Sequence, residues 1–214
     1  MNHKRIYRLC REEKLALRRL RRQHTARLLA AAEKNAAERP NQCWALDFVS
    51  DTLVSEQTFR ALTVLDEYTR ESLAIEVDTS LPALRVIRVW ERLSAHRGRP
   101  EEIRMDHGPE FVSRVTGSWC EQRKILLRFI DPGKPMQNGY LESFNGRFRD
   151  ECLNAHWFLS LAQARTAIEA WRMDYNGERP HSSLDYRTPN EFAARLALRA
   201  EQNSMGTLPA IGTA

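Results

Sequence analysis

Residues 42–50 read Gln-Cys-Trp-Ala-Leu-Asp-Phe-Val-Ser, and this stretch decides the fold. It is short, apolar and bounded by polar residues, which is typical of a buried strand. Two further strand-like runs follow at residues 59–65 and 72–77, with a charged segment between them. An unpaired carboxylate is costly inside a buried strand, so Asp47 stands out as a candidate functional residue.

The rest of the chain alternates helices with strands. A helix is predicted to start at residues 80–82, to carry an apolar stripe and to end at residues 98–100. The stripe consists of Leu84, Ile87, Trp90 and Leu93. The later predicted elements are a strand at 103–105, a helix at 111–121, a strand at 125–130, and helices at 138–152, 161–175 and 189–199. This order predicts an α/β body in which a three-strand meander leads into crossover connections.

Composition excludes several classes of protein. The chain has 214 residues, of which 42% are hydrophobic, so it can bury a core and is not wholly disordered. No apolar run approaches the ~20 residues of a membrane span, and no signal-peptide core follows the basic start. The cysteines are far apart, which argues against a disulfide scaffold or a zinc ribbon and favours reduced thiols inside a cell. They are Cys10, Cys43, Cys120 and Cys152.

Positive charge is concentrated at the start of the chain. Residues 1–40 carry twelve Lys and Arg against four Glu, a net charge of +8, whereas the remainder carries −3. A basic arm on a mildly acidic body is expected to meet a polyanion, although a solvated helix face would look similar. The arm's candidate contacts with such a polyanion are Arg18, Arg19, Arg21 and Arg22. We predict a basic helical arm at 1–40, an α/β body at 41–198 and a disordered tail at 199–214.

Three carboxylates lie at positions where an α/β fold places ligands. Asp47 is inside the first strand, and Asp106 ends the fourth strand, where ligands of open α/β sheets gather. Glu142 lies on the helix that follows a Gly/Pro-rich loop, and Asn145 and Arg149 follow it at i+3 and i+7 on one helical face. Leu141, Phe144 and Phe148 form the adjacent apolar face.

Convergent carboxylates repel one another unless they share a cation. Hard divalent ions such as Mg²⁺ prefer oxygen ligands, and two such ions ~4 Å apart stabilise the attacking and leaving oxygens of an in-line phosphoryl displacement. Arg149 is placed to hold a phosphate of the substrate. Each carboxylate alone is also compatible with a structural or solvated role, so the prediction depends on the three together.

Several motifs resemble one known family. Residues 44–48 (WALDF), 105–111 (MDHGPEF) and 133–146 (GKPMQNGYLESFNG) resemble the catalytic core of retroviral-integrase-like DDE transposases, with 35 residues between Asp106 and Glu142. Residues 149–154 (RDECLN), 175–184 (YNGERPHSSL) and 188–192 (TPNEF) resemble the second reading frame of a large bacterial insertion-sequence family. The resemblance covers roughly residues 1–198.

The resemblance implies a ribonuclease H-like fold with a mixed five-stranded sheet flanked by helices. It implies that Asp47, Asp106 and Glu142 are catalytic and bind two Mg²⁺ ions, with Mn²⁺ as an alternative. The implied reaction is DNA cleavage and strand transfer. Its implied DNA contacts are Arg149, together with Asn145 and Lys134.

The resemblance also implies partners and a location. The partners are DNA, at the element ends and at the target, a second copy of the chain in a dimer or higher multimer, and the product of the first reading frame. The implied location is the bacterial cytoplasm, with the nucleoid. Two departures stand out: His107 replaces the usual Asn, and residues 1–20 resemble only the last part of an upstream helix-turn-helix segment.

Other interpretations remain open from the sequence. A truncated, catalytically idle DNA-binding regulator or a purely hydrolytic nuclease would share most of these motifs. Asp66 is a rival carboxylate, expected to face away or to support the site. Cys152 and His156 are spaced for a metal site but fit packing better. The loop at residues 179–181 fits either a structural or a DNA-backbone role, and Trp90, Trp119, Trp157 and Trp171 fit core or interface positions.

Overall fold

The computed structural model describes residues 37–131 and 138–205, and within these ranges a single mixed sheet organises the chain. Its strands are β1 (Cys43–Thr52), β2 (Thr58–Asp66), β3 (Ser72–Asp78), β4 (Glu102–Met105) and β5 (Leu126–Phe129). The spatial order is β3-β2-β1-β4-β5. The first three strands pair antiparallel, whereas β4 and β5 continue the sheet in parallel from β1. The predicted mixed five-stranded sheet is confirmed.

Five α-helices are present in the described ranges. They are α1 (Ala83–Arg97), α2 (Arg114–Gln122), α3 (Gly139–Phe148), α4 (Leu161–Gly177) and α5 (Pro189–Met205). A π-helical turn at Arg149–Leu153 follows α3 directly, and a short 3₁₀ turn at Ser182–Leu184 precedes α5. The helices lie on both faces of the sheet, so the strands at its centre are buried on two sides.

Strand β1 divides the core because its side chains alternate between the two faces of the sheet. Trp44 and Leu46 pack on one face with residues of α1 and α2, whereas Ala45 and Val49 pack on the other with residues of α3 and α4. Asp47 therefore belongs to the α3 face. This alternation explains why a run that reads as continuously apolar contains one carboxylate: it is directed toward a helix that presents polar groups.

Two helix predictions needed correction. The buried residues of α1 are Val86, Ile87, Val89 and Trp90, whereas Leu84 of the predicted stripe is 61% exposed. Helix α2 begins at Arg114, three residues later than predicted, because the Ser113 side chain caps it by accepting a hydrogen bond from the Thr116 N–H.

The ends of two further helices also differ from prediction. The helix that carries Glu142 ends as an α-helix at Phe148, and the next five residues form the π-helical turn. Helix α5 continues to Met205, so residues 199–205 of the predicted disordered tail are helical. This extension follows from a run of good helix formers that no Gly or Pro interrupts before Gly206. The arm at 1–36 and residues 206–214 lie outside the described residues.

The tryptophans divide between core and surface. Trp90 and Trp119 are buried with their rings 5.4 Å apart, and Trp171 packs against the α3 core, as predicted. Trp157 is 84% exposed, so it is not a core residue, and its alternative role at an interface stays a prediction. No helix in the described ranges is both long and apolar enough to cross a membrane.

Candidate active site

The pairing of β1 with β4 places two of the three carboxylates side by side. The parallel register joins Trp44 to Ile103 and Ala45 to Arg104. Two residues further along, the same register brings Asp47 level with Asp106, which directly follows β4. Because neighbouring strands lie about 4.8 Å apart, the sheet backbone itself holds these two residues next to each other.

Hydrogen bonds orient both oxygens of Asp47. Its Oδ1 atom accepts from the backbone N–H of Phe48 at 2.7 Å, and its Oδ2 atom accepts from Nδ2 of Asn145 at 2.8 Å. On the neighbouring strand, the Thr63 hydroxyl donates to the Asp47 backbone carbonyl at 3.2 Å. The Asp47 side chain is thus fixed from its own strand and from helix α3.

The carboxylates influence one another electrostatically. Burial raises the pKa of Asp47, the hydrogen bond from Phe48 opposes that rise, and the charge of Asp106 adds to it. Burial also raises the pKa of Glu142, and the charge of Asp47 contributes to that shift. Asp47 is therefore coupled to both other acids, as expected for like charges that converge on one place.

Asp106 is held by the loop that follows it. Its Oδ1 atom accepts from the backbone N–H of Gly108 at 2.9 Å. The loop is anchored by Phe111, which is fully buried and stacks on Phe48 with the ring centroids 4.9 Å apart. The His107 ring stacks on Phe129 at 5.0 Å, so the departure at this position is accommodated by β5.

An ion pair that sequence reasoning missed fastens the same loop to the sheet. Arg60 on β2 pairs with Glu110, and the Arg60 guanidinium also lies 4.0 Å from the centroid of the Phe48 ring. These residues are fifty positions apart, and each is an ordinary charged residue in the sequence. No local sequence pattern identifies the pair, because it forms only when the loop after β4 folds back against Arg60 and Phe48.

Helix α3 presents Glu142 from its polar side. Leu141, Phe144 and Phe148 are buried, which confirms the predicted apolar face, and Glu142 is exposed. Asn145 is 6% exposed with its amide engaged by Asp47, so it contacts a candidate catalytic carboxylate and does not reach into solvent as a DNA contact would.

Arg149 lies on the same side, in the π-helical turn. One guanidinium nitrogen is 3.4 Å from the Ser50 backbone carbonyl oxygen, and its positive charge lowers the pKa of Asp47. Arg149 is otherwise exposed. Of the residues predicted to contact DNA, it is the one that the described structure places beside the acids with its charge open to solvent.

The donor chemistry of the site fits a hard divalent cation. All three acids supply oxygen, and the Oδ1 atom of Asn145 is buried beside Asp47 with no hydrogen-bond partner. Within the described ranges, however, no three His, Cys, Asp or Glu side chains are gathered closely enough to form a metal site. The structure thus shows electrostatic coupling of the acids without an assembled coordination sphere.

The rival sites have structural roles. Asp66 is fully buried and accepts backbone hydrogen bonds from Asn41, Tyr68 and Thr69, so it stabilises the β2–β3 turn and faces away from the acids. His156 is bonded through Nδ1 to the Cys152 carbonyl oxygen at 2.7 Å, and the Cys152 thiol is buried. These two residues therefore pack together and do not form a metal site.

The remaining predicted contacts lie outside the described residues. Lys134 falls in the gap between residues 131 and 138. The arm arginines fall before residue 37; they are Arg18, Arg19, Arg21 and Arg22. Their assignment as DNA contacts stays a prediction.

Comparison with known proteins identifies relatives from bacterial insertion elements. Two family models, each described as an integrase core domain, match residues 37–135 and 123–189. The chain is 48% identical over 200 residues to a 31.7-kDa protein of insertion element IS407 from Burkholderia multivorans, and 44% identical over 212 residues to a 39.2-kDa protein of insertion element IS476 from Xanthomonas euvesicatoria. These matches cover 94% and 99% of this chain, and the chain spans 72% and 61% of the two relatives.

Solved structures give the fold. The magnesium-bound catalytic core domain of HTLV-2 integrase, in its trimeric form, superposes with a TM-score of 0.60 at 17% identity, covering 73% of this chain and 98% of that one. An intasome chain of simian T-cell lymphotropic virus gives a TM-score of 0.63 at 17% identity, covering 74% and 56%. The predicted ribonuclease H-like fold is confirmed. By its insertion-element relatives and its integrase core, the chain belongs to the family of bacterial insertion-sequence transposases of the second-reading-frame type.

Proposed function

We propose that this chain carries the catalytic core of a transposase that cleaves and joins DNA strands at the ends of an insertion element. The observation that carries the proposal is that the β1–β4 register sets Asp106 beside Asp47, where the charge of Asp106 raises the pKa of Asp47 and the charge of Asp47 raises that of Glu142. Like charges that lie close enough to raise a neighbour's pKa need a reason to be together, and perturbed acids cluster at functional sites. A shared cation would relieve their repulsion.

The three acids would hold two Mg²⁺ ions, with Mn²⁺ as an alternative. When bound, the ions supply charge stabilisation to the attacking and leaving oxygens of a phosphodiester. Asn145 keeps Asp47 oriented, and its unpartnered Oδ1 atom is available to the same site. Arg149 offers a positive charge to a neighbouring phosphate of the DNA strand.

The proposed chemistry is a pair of in-line displacements at phosphorus. First a water oxygen attacks, one P–O bond forms, the bond to the leaving 3′-oxygen breaks, and a free 3′-hydroxyl results. That hydroxyl then attacks a phosphodiester of the target, so that one P–O bond is again exchanged for another. In each step the attacking oxygen gives up a proton and the leaving 3′-oxygen takes one up, by way of solvent, and no redox partner is required.

The partners follow from the same reaction. The protein would bind DNA at the element ends and at the target, and two ends cut together call for a homodimer or a higher multimer. The product of the first reading frame would complete end recognition, and the setting would be the nucleoid in the bacterial cytoplasm. These proposals are supported by the insertion-element relatives and by the basic residues of the arm.

The test uses the purified chain with two labelled DNA substrates and Mg²⁺ or Mn²⁺. One substrate carries the ends of the parent element. The other is a branched duplex that represents the joined product, because resolving it uses the same phosphoryl exchange in reverse without end recognition. Asp106→Asn and Glu142→Gln remove one acid each, and Glu121→Gln, an exposed acid on α2, is the matched control.

We expect metal-dependent products from the wild type and from Glu121→Gln. The loss in Asp106→Asn and Glu142→Gln is expected to be about 1,000-fold, since metal-ion stabilisation is worth several kcal/mol. Unchanged activity in either site variant would contradict the assignment of the acids. DNA binding without any strand exchange, on either substrate, would contradict the proposed reaction, and cleavage without joined products would indicate a nuclease.

A further inference from the structure

Three arginines from separate parts of the chain act on His181 through their charge. Arg70 comes from the turn between β2 and β3, Arg147 from α3, and Arg179 from the segment after α4; we call these residues the His181 cluster. The His181 ring lies edge-on to the buried ring of Tyr175, with the centroids 5.1 Å apart. The cluster is on the face of the sheet that α3 and α4 cover, but its residues are half-buried or exposed and so reach solvent.

Two polar atoms in this cluster are buried and have no hydrogen-bond partner. They are Nε2 of His181 and Nε of Arg70. Buried polar groups in folded proteins are almost always hydrogen-bonded, so each exception calls for an explanation. Both nitrogens lie among arginine charges and are suited to hydrogen-bond an oxygen-rich anion.

The positive charge of the cluster is only partly balanced. Arg179 pairs with Glu151 at 2.5 Å, and the Arg70 guanidinium lies 3.2 Å from the centroid of the Tyr140 ring and donates to the Glu67 carbonyl oxygen. Arg147 is exposed and makes no hydrogen bond or ion pair within the described ranges. The charges of Asp174 and Glu67 also act on Arg179 and Arg70, but Arg147 keeps an unpaired positive charge.

The electrostatics of His181 report this excess. Burial lowers its pKa to about 4, and the charges of Arg147, Arg179 and Arg70 add to the decrease, in that order. At neutral pH the ring is therefore uncharged and keeps one N–H to donate. A bound anion would oppose the three arginines and raise the pKa of the ring again.

The position of the cluster on α3 links it to the proposed reaction. Arg147 follows Glu142 by five residues, which is about 7.5 Å along the helix axis, on a different side of the same helix. The Phe144 side of α3 packs against Tyr175 with ring centroids 4.8 Å apart, so the helix joins the two places rigidly. A strand that lies across the acids would have further phosphates within reach of the cluster.

We propose that the His181 cluster binds a backbone phosphate of the DNA strand, with Arg147 and the His181 ring as its principal contacts. Arginine and neutral N–H donors suit a phosphodiester, whose charge is spread over its free oxygens. The inference rests on the proposed function for the identity of the ligand. It assigns to the Arg-Pro-His segment, for which the sequence left two roles open, a role in holding DNA.

The test measures affinity for a labelled 30-bp duplex, about three helical turns, by fluorescence anisotropy with EDTA present and over a range of NaCl concentrations. Arg147→Gln removes the unpaired charge. Arg88→Gln removes an exposed arginine charge from α1, on the opposite face of the sheet, and serves as the matched control. Arg147→Gln is expected to weaken binding about 3- to 10-fold and to reduce the slope of log K against log [salt] by about 1, as the loss of one phosphate contact does.

A second variant tests the contribution of the His181 ring nitrogen separately from that of the arginine charge. His181→Phe keeps an aromatic ring against Tyr175 but removes Nε2, so it should weaken duplex binding several-fold without changing the salt slope. In the wild type, NMR titration of the His181 ring should show its pKa rise when the duplex is added. Inorganic phosphate at the same concentration of phosphate groups should produce a smaller rise.

Equal affinity and equal salt slope for Arg147→Gln and Arg88→Gln would overturn the proposal. An equal rise of the His181 pKa with inorganic phosphate, together with unchanged duplex binding by both cluster variants, would identify a site for free phosphate and would also overturn it. Because binding is measured without metal, the result is independent of catalysis. If the wild type exchanges strands and Arg147→Gln binds DNA normally, only the phosphate site is contradicted. If binding depends on the cluster but no strand exchange occurs, only the proposed function is contradicted.

Discussion

Asn145 donates a hydrogen bond from its Nδ2 atom to Oδ2 of Asp47 at 2.8 Å, across 98 positions of sequence. This bond joins helix α3 to strand β1 at the place where the acids meet. It lowers the pKa of Asp47 against the effect of burial. The same helix carries Glu142, so the bond also fixes the position of Glu142 relative to Asp47.

Replacement of Asn145 should therefore impair the site more than the fold. We expect Asn145→Ala to reduce strand exchange about 10- to 100-fold, the usual cost of losing a partner of a metal-binding side chain. It should also raise the pKa of Asp47, so the acidic limb of the pH–rate profile should move to higher pH. Steady-state rates on the branched duplex, measured from pH 5 to 9, provide the check.

The control for this variant is Asn176→Ala. Asn176 is also buried, and its amide bonds to the backbone N–H and carbonyl of Ser72, away from the acids. It should lower the free energy of unfolding by about 1–3 kcal/mol, the cost of leaving buried groups unpaired, without moving the pH profile. A shift of equal size in both variants would contradict a specific role for Asn145.

Removal of a charge at the site should stabilise the fold. Burial and the charge of Asp47 raise the pKa of Glu142 above its ordinary value of 4.5. The folded state therefore holds this proton more tightly than the unfolded state does, and stability is lost as the pH rises from about 4.5 through the raised pKa. Urea unfolding of wild type and Glu142→Gln should show a difference that favours the variant and grows with pH.

The same pair of proteins tests cation binding. Mg²⁺ should raise the Tm of the wild type, because a ligand of the folded state stabilises it, and should raise that of Glu142→Gln less. A variant that is less stable than the wild type throughout the pH range would show that Glu142 makes a favourable contact and does not suffer repulsion.

A side chain at position 108 should disturb Asp106. A Cβ atom at this position would lie 3.0 Å from Oδ1 of Asp106 and 3.4 Å from a ring carbon of Phe111. Gly108→Ala should therefore displace the Asp106 carboxylate and reduce strand exchange at least about 10-fold, since small misplacements of a reacting group are costly. The measurement is the single-turnover rate at saturating DNA.

Gly117→Ala is the matched control. Gly117 lies within helix α2, and a Cβ there meets nothing within 4 Å. This change should raise the free energy of unfolding by about 0.5–1 kcal/mol, because alanine favours the helix, and should leave the rate unchanged. An unaffected rate in Gly108→Ala would mean that the loop adjusts without moving Asp106.

The two kinds of tryptophan should respond differently to truncation. Trp90 is fully buried between α1 and the sheet, so Trp90→Ala should cost about 3–5 kcal/mol of unfolding free energy. Trp157 is 84% exposed, and Trp157→Ala should change stability by less than about 0.5 kcal/mol. Denaturant unfolding of both variants, followed by circular dichroism, distinguishes them; a large loss in Trp157→Ala would place that ring in a packed environment.

The sequence predicted the elements better than their ends. Short apolar runs and helical spacing located all five strands and all five helices of the described ranges. The start of α2 was misplaced since a serine cap, and not an apolar residue, begins that helix. The π-helical turn was missed because residues 149–153 have no composition that separates them from an α-helix.

The three candidate acids could be singled out from the sequence because their motif is local, and their catalytic role stays a prediction. The hydrogen bond between Asn145 and Asp47, the Arg60–Glu110 pair and the arginines around His181 all join residues distant in sequence. Such contacts depend on which faces of the helices and strands meet in the folded protein. The local patterns of a single sequence do not show which faces meet. Asn145 illustrates the point: its helical face was predicted, but not the partner that this face meets.

The two aspartates and Glu142 are held by different forces. Backbone hydrogen bonds between β1 and β4 set the separation of Asp47 and Asp106. Glu142 instead lies on helix α3, which is positioned by aromatic contacts of Phe144 and Phe148 with the rings of α4. Inhibitors that wedge between α3 and α4 would thus shift one acid while leaving the other two in place. Compounds of this kind would inhibit the site by displacing Glu142 from the far side of α3, without competing with DNA.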